Sequence, residues 1–259
     1  MAIYLKKAQE RPEQDLRAVS DLVREVLDRV RLEGEAAVRF YSKRFDQWDP
    51  PHFRLSEAEV EKAVQTLSPL EKEDIDFCQA QIRNFAEKQR EVIRSFEVET
   101  LPGIHLGQKI IPVAASGSYI PGGRYPMLAS AHMTVITPKV AGVKRVVACT
   151  PPTKGQGIHP ATLYSMKAGG ADEIFCLGGV QALAAMAYGM EGLEPVDMIV
   201  GAGNVYVAEA KRQLFGRVGI DLLAGPTEIL VLIDKTADPY IVAADILGQA
   251  EHDPNARQA

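Results

Sequence analysis

Apolar residues near the start of the chain fall at helical spacing: Leu16, Val19, Leu22, Val23, Val26, Leu27 and Val30 share one face, and Gly34 follows as a stop. Ser56 with Glu59 has the form of a capping box, and Ser68-Pro69-Leu70-Glu71 adds proline at the first helical position to a second one. The spacing predicts three or four successive helices between residues 14 and 95. Near residue 96 the texture changes. FEVETL, a Pro102-Gly103 turn and IHLGQKIIPV predict two short extended segments joined by a hairpin. Beyond them KRVVACTPP, DEIFCLGG and VDMIVGAGN are apolar runs ending in small or turn residues. Each is followed by a segment of helical character, such as ATLYSMKAGG, QALAAMAYGM and VYVAEAKRQLFG.

Apolar runs without polar alternation suit parallel strands, which are covered on both faces, better than a β-sandwich. The expected class is α/β, with a Rossmann-like unit over residues 117–227, a helical amino-terminal region over 1–116 and a further segment over 228–259. Residues 128–141 read as helix from their Ala-rich start, although Thr134 to Thr137 and Pro138 favour extended chain. GIDLLAGPTEILVLID predicts two extended segments around a Gly225-Pro226 break, and Asp238-Pro239 opens a last helix running towards His252.

Composition narrows the partners. With 259 residues, 46% hydrophobic and 24% charged, the chain has an ordinary globular make-up. Its formal net charge of -5 offers nucleic acid or an anionic membrane no basic footprint, which leaves a small molecule as the expected partner. Cys78, Cys149 and Cys176 lack CxxC spacing and read as buried thiols of a reducing cytoplasm. The opening MAIYLKKAQERPEQD has no secretory apolar stretch, and no run approaches the roughly 20 apolar residues of a membrane span, so a cytoplasmic location is expected.

Ligands of open α/β sheets bind at the carboxyl ends of the strands, here Gly178-Gly179 and the Gly201-Ala202-Gly203-Asn204 turn. Neither turn completes G-x-G-x-x-G, so both read either as a dinucleotide site, with helix amino termini offering N–H groups to phosphate, or as steric turns. Gln181 and Asn204 sit just past them, placed for a ribose or nicotinamide amide or, for Asn204, for helix capping. Tyr119, in GSYIPGG, reads as a cover on a cofactor or as packing at a strand end. Asp245, Gln249 and His252 lie at i, i+4 and i+7 on one helical face. Gln249 plus His252 is half of a metal site or an ordinary polar face. His52, His105, His132 and His159 fall in unrelated contexts.

Taken in order, GSYIPGG, KVAGVKRVVACTPP, GGVQALAAMAYG, GAGNVYVAEAKRQ, DLLAGPTEILVLID and AADILGQAEHDPNAR resemble the histidinol dehydrogenase family. The resemblance covers most of residues 15–259 and is strongest from 112 onward. It implies a zinc- and NAD-dependent dehydrogenase that oxidises a primary alcohol through an aldehyde to a carboxylate, L-histidinol to L-histidine in the family. Tyr119, Gln181 and Asn204 match NAD-contacting positions, Thr227 a substrate-contacting one, and Gln249 and His252 two zinc ligands that also meet the substrate. A Glu-His pair supplying acid/base chemistry, and two further zinc ligands, fall beyond Ala259 in the family pattern. The resemblance also implies that the Rossmann-like unit is inserted in a second α/β domain, here incomplete, that full-length members are homodimers, and that the 259-residue chain alone lacks turnover.

Two departures bear on substrate. Gly123 runs straight into Arg124-Tyr125-Pro126, and Ala202 stands where the family's common turn has proline. A guanidinium at the pocket repels the ammonium of histidinol and suits a sulfonate or carboxylate, whereas Arg124 facing solvent does neither. This region resembles the branch of the family that oxidises 2,3-dihydroxypropane-1-sulfonate. A non-catalytic nucleotide-binding module is the competing reading from another class.

Overall fold

The computed structural model describes residues 16–122, 126–153, 155–223 and 229–250, the last span without the side chain of Gln249. Helix α1 (Leu16–Glu33) buries Val19, Val23, Val26, Leu27 and Val30, the stripe its spacing predicts, while Leu16 at its start is exposed. Gly34, at φ 60°, separates it from α2 (Glu35–Tyr41), which runs into a π-helical turn at Ser42–Asp46. Both expected capping boxes form. Ser56 and Glu59 open α3 (Glu57–Val64), and Ser68 and Glu71 open α4 (Pro69–Val92) with Pro69 at its first position. The hairpin follows as β1 (Phe96–Leu101) and β2 (Ile104–Gln108), paired antiparallel and exposed along its whole length.

The parallel unit is built from β3 (Ala115–Tyr119), α5 (Leu128–Ala141), β4 (Arg145–Thr150), α6 (Pro160–Gly169), β5 (Glu173–Cys176), α7 (Gly179–Tyr188), β6 (Met198–Val200), α8 (Val205–Leu214) and β7 (Gly219–Ile220). Its five strands lie in the order β5-β4-β3-β6-β7, all parallel, the doubly wound arrangement with the change of direction between β3 and β6. Side chains alternate across the sheet, so Val146, Ala148 and Ile174 pack beneath α3, α5 and α6, whereas Val147, Cys149 and Phe175 pack with α1, α2, α7 and α8. The first strand therefore begins at Ala115, and α1 and α2 share its core.

Residues 128–141 are helical throughout, with Pro138 inside α5. Proline lacks the N–H that would bond the Thr134 carbonyl. The Ser118 hydroxyl of β3 donates to that carbonyl instead, at 2.6 Å. Of the two extended segments expected in residues 219–234, the first contributes only Gly219–Ile220 to the sheet. The second forms no strand among the described residues, and Leu230, Leu232 and Ile233 are exposed. An apolar run becomes a strand only where a ladder partner is presented to it. Helix α9 (Pro239–Ala250) starts where expected, its Tyr240 N–H donating to the Asp238 side chain at 2.8 Å.

Cys149 and Cys176 are buried as expected, but Cys78 is exposed, because it lies on the outer face of α4 away from Ile75, Gln79 and Ala86. No helix among the described residues is long and apolar enough to cross a membrane.

Helix α1 shares a core with the sheet and is expected to unfold with it. Leu27→Ala should cost about 2–5 kcal/mol in urea unfolding. Far-UV circular dichroism and the emission of Trp48 should shift together; a shift in only one of them would detach α1 from that unit.

Candidate functional site

An open cleft of about 420 Å³ lies over the carboxyl ends of the strands, where the sheet order reverses. Tyr119 ends β3, Pro151 follows β4, Gly179 follows β5 and Asn204 follows β6, so the cleft takes one wall from each. Asp46 and Gln47, from the π-helical turn, close its side. That turn is held by Trp48, whose indole N–H donates to the Cys176 carbonyl at 3.0 Å, and by Ser42, whose hydroxyl donates to the Trp48 carbonyl at 2.7 Å.

Tyr119 is buried rather than half-buried, and its hydroxyl oxygen accepts from the Gly179 N–H at 3.1 Å. Burial pushes its phenol up to about 12, so the group is neutral at physiological pH and keeps its own proton to donate. Asn204 does cap α8. Its side-chain oxygen accepts from the N–H groups of Tyr206 and Val207 at 3.0 and 3.1 Å. The N–H groups of Gly179, Tyr206 and Val207, at the two helix starts expected to offer donors to phosphate, thus already have protein partners.

Gln181 is fully buried in α7 and donates from Nε2 to Asp46 Oδ2 at 2.9 Å. Its Oε1 is buried with no hydrogen-bond partner among the described residues, a state that costs about 1–3 kcal/mol. Burial raises the Asp46 carboxyl above its ordinary value, against a smaller lowering by the Gln181 amide.

The turn carrying Asn204 is fastened from behind. Gly201 has φ +126°, and a Cβ there would come within 2.1 Å of the Tyr119 carbonyl oxygen, so only glycine allows the approach of the two strand ends. Buried Lys211 donates to the carbonyls of Gly201 and Leu222 at 2.8 and 2.7 Å and pairs with Asp221, which accepts the Gly201 N–H at 2.7 Å. Neither Asp46 nor Lys211 was flagged by the motifs. The available signal for Lys211 was a charge on the apolar face of α8 formed by Val207, Ala210 and Leu214.

The structure thus gathers Tyr119, Gln181 and Asn204 at one end of the sheet. Arg124, Thr227 and His252, and the side chain of Gln249, lie outside the described residues. Among the described residues no group of three or more His, Cys, Asp or Glu is arranged to hold a metal ion. His132 is buried against the Gln79 amide between α4 and α5, and His159 caps α6, both structural roles.

Fold and cleft define an α/β protein with an open cleft at the switch point of a parallel sheet. The sequence model of the histidinol dehydrogenase family matches residues 9–259, and the chain belongs to that family. It is 57% identical to a histidinol dehydrogenase homolog of Shouchella clausii, over 100% of this chain and 61% of that protein. Identity is 47% to the sulfopropanediol 3-dehydrogenase of Ruegeria pomeroyi, over 98% of this chain and 58% of the relative. With the histidinol dehydrogenase of Methanosarcina mazei it is 45%, over 92% and 55%. The crystal structure of histidinol dehydrogenase from Elizabethkingia anophelis superposes with a TM-score of 0.87 at 34% identity, covering 96% of this chain and 57% of that one. The chain therefore spans somewhat over half the length of these relatives.

The buried Asp46 carboxyl gives the site a measurable signature. Its proton is held more tightly in the folded state, so ionisation opposes folding; the penalty is absent below about pH 4 and complete above the raised folded value. Asp46→Asn should therefore unfold at an equal or higher temperature than the parent at pH 7 and lose any advantage below about pH 4. A thermal scan showing the reverse order would contradict this account of the charge.

Proposed function

We propose that the cleft binds NAD and that the chain is the nucleotide-binding portion of a zinc- and NAD-dependent dehydrogenase oxidising a primary alcohol through an aldehyde to a carboxylate. The observation that carries the reading is the cleft at the β3/β6 switch point, lined by Tyr119, Gly179 and Asn204, with the buried Gln181 bonded to the lining residue Asp46. The groups present suit the cofactor. The unpaired Gln181 Oε1 is an acceptor for a carboxamide or ribose donor, and the Tyr119 hydroxyl retains a proton for a ligand oxygen. When bound, NAD accepts the hydride removed from the alcohol carbon. The protein's part is to hold the dinucleotide at the strand ends and to exclude water from its buried side.

Zinc enters the reading through Gln249 and His252, which match two zinc ligands of the family pattern, and the chain spans somewhat over half the length of its relatives. Turnover is accordingly to be assayed on a polypeptide of the relatives' length. Such a polypeptide is taken to be a cytoplasmic homodimer.

A second substrate reading has its own support. A sulfopropanediol 3-dehydrogenase stands among the relatives beside histidinol dehydrogenases of similar identity, and the guanidinium of Arg124 favours an anionic hydroxy compound such as 2,3-dihydroxypropane-1-sulfonate over L-histidinol.

Trp48 is the single tryptophan and adjoins Gln47 on the cleft wall, so its emission reports binding directly. NAD should change that emission saturably; a flat titration confirmed by calorimetry would remove the nucleotide reading. In steady-state assays Arg124→Ala should lower kcat/KM for the sulfonate by about tenfold or more and leave any rate with L-histidinol unchanged. Equal losses on both substrates would exclude a charge-selective role for Arg124.

A further inference from the structure

The Gln181 amide has two faces that differ only in which atom is turned outward. A carboxylate accepts hydrogen bonds and donates none, so Asp46 Oδ2, 2.9 Å from Nε2, selects one of them. The carbonyl oxygen is thereby turned towards Gly179. It lies 2.8 Å, and Nε2 3.2 Å, from the point where a Cβ at residue 179 would sit, so glycine, on a residue that itself lines the cleft, is what lets the amide pack this closely. Gly179 adopts φ +64°, and its N–H is tied to Tyr119, so this approach is held in place. Asp46 is contributed by a turn 135 residues away, and the Gln181 amide is its only hydrogen-bond partner among the described residues. A carboxylate kept half-buried against a neutral amide, with that amide's acceptor left unpaired, is costly for the fold alone and makes sense as preparation for a ligand.

We propose that Asp46 is a positioning residue of the cleft: it fixes the Gln181 amide so that Oε1 accepts a hydrogen bond from a donor, carboxamide or hydroxyl, on the bound dinucleotide. This rests on the reading of the cleft as an NAD site. Asp46 then acts through Gln181, and its contribution to binding disappears once Gln181 is gone.

The test is a double-mutant cycle in the full chain, with NAD as the probe and Trp48 emission and calorimetry as readouts. Gln181→Ala and Asp46→Ala should each weaken NAD binding about tenfold, and the double variant should bind within about twofold of Gln181→Ala alone. Asp46→Asn guards against a folding defect. Its amide can donate to Oε1 as well as accept from Nε2, so it should weaken NAD binding by about threefold or more while its near-ultraviolet dichroism stays that of the parent. Independent losses that multiply to about a hundredfold in the double variant, or parent-like affinity in Asp46→Asn, would overturn the positioning role and leave the cleft as an NAD site. A parent chain that does not bind NAD would overturn both.

Discussion

A parallel sheet has two apolar faces and no face it can show to water, and everything else in this structure depends on covering both. Strand β4 states the constraint most simply, with Val146 and Ala148 turned one way and Val147 and Cys149 the other. Crossover helices α5 and α6 cover one side. On the other side α7 and α8 are joined by α1, which precedes the first strand of the unit by some distance in sequence yet is packed into its core. Covering that face brings the π-helical turn after α2 to the rim of the cleft, which is how an acidic side chain from the amino-terminal helices reaches a site built from strand ends.

The site follows from topology before it follows from chemistry. Where β3 and β6 lead their connections to opposite sides, the chain leaves an opening, and Gly201 lets the two strand ends close up beneath it. The chemistry added there is short-range and mostly neutral: a phenol held protonated by burial, two amides and one carboxylate whose charge is unfavourably placed. Lys211 is the exception, yet its charge faces away from the ligand space and is consumed in fastening the turn that carries Asn204.

Much of the fold was legible in the sequence because it is encoded locally. The capping boxes at Ser56 and Ser68 and the apolar runs at 145–150 and 173–176 each need only a few neighbouring residues to be read. Residues 229–234 carry a strand-like pattern but form no strand among the described residues. In the site, the positions read from turn context, Tyr119, Gln181 and Asn204, do converge. Asp46 was illegible because its partner lies 135 positions away, and Lys211 because a lysine on an amphipathic helix ordinarily signals solvent. Sequence likewise shows where helices begin, but not that Tyr119 and Asn204 bond the N–H groups of Gly179, Tyr206 and Val207 there.

The bond from Ser118 to the Thr134 carbonyl has an implication for how this chain can vary. Proline at 138 is tolerated inside α5 only while a hydroxyl on the neighbouring strand answers the carbonyl it orphans. Loss of the hydroxyl with the proline retained would strand a polar group under the helix, whereas restoring an N–H at 138 would free position 118 to become apolar. The two positions are thus tied as one unit of inheritance, and homologues are expected to change them together or not at all.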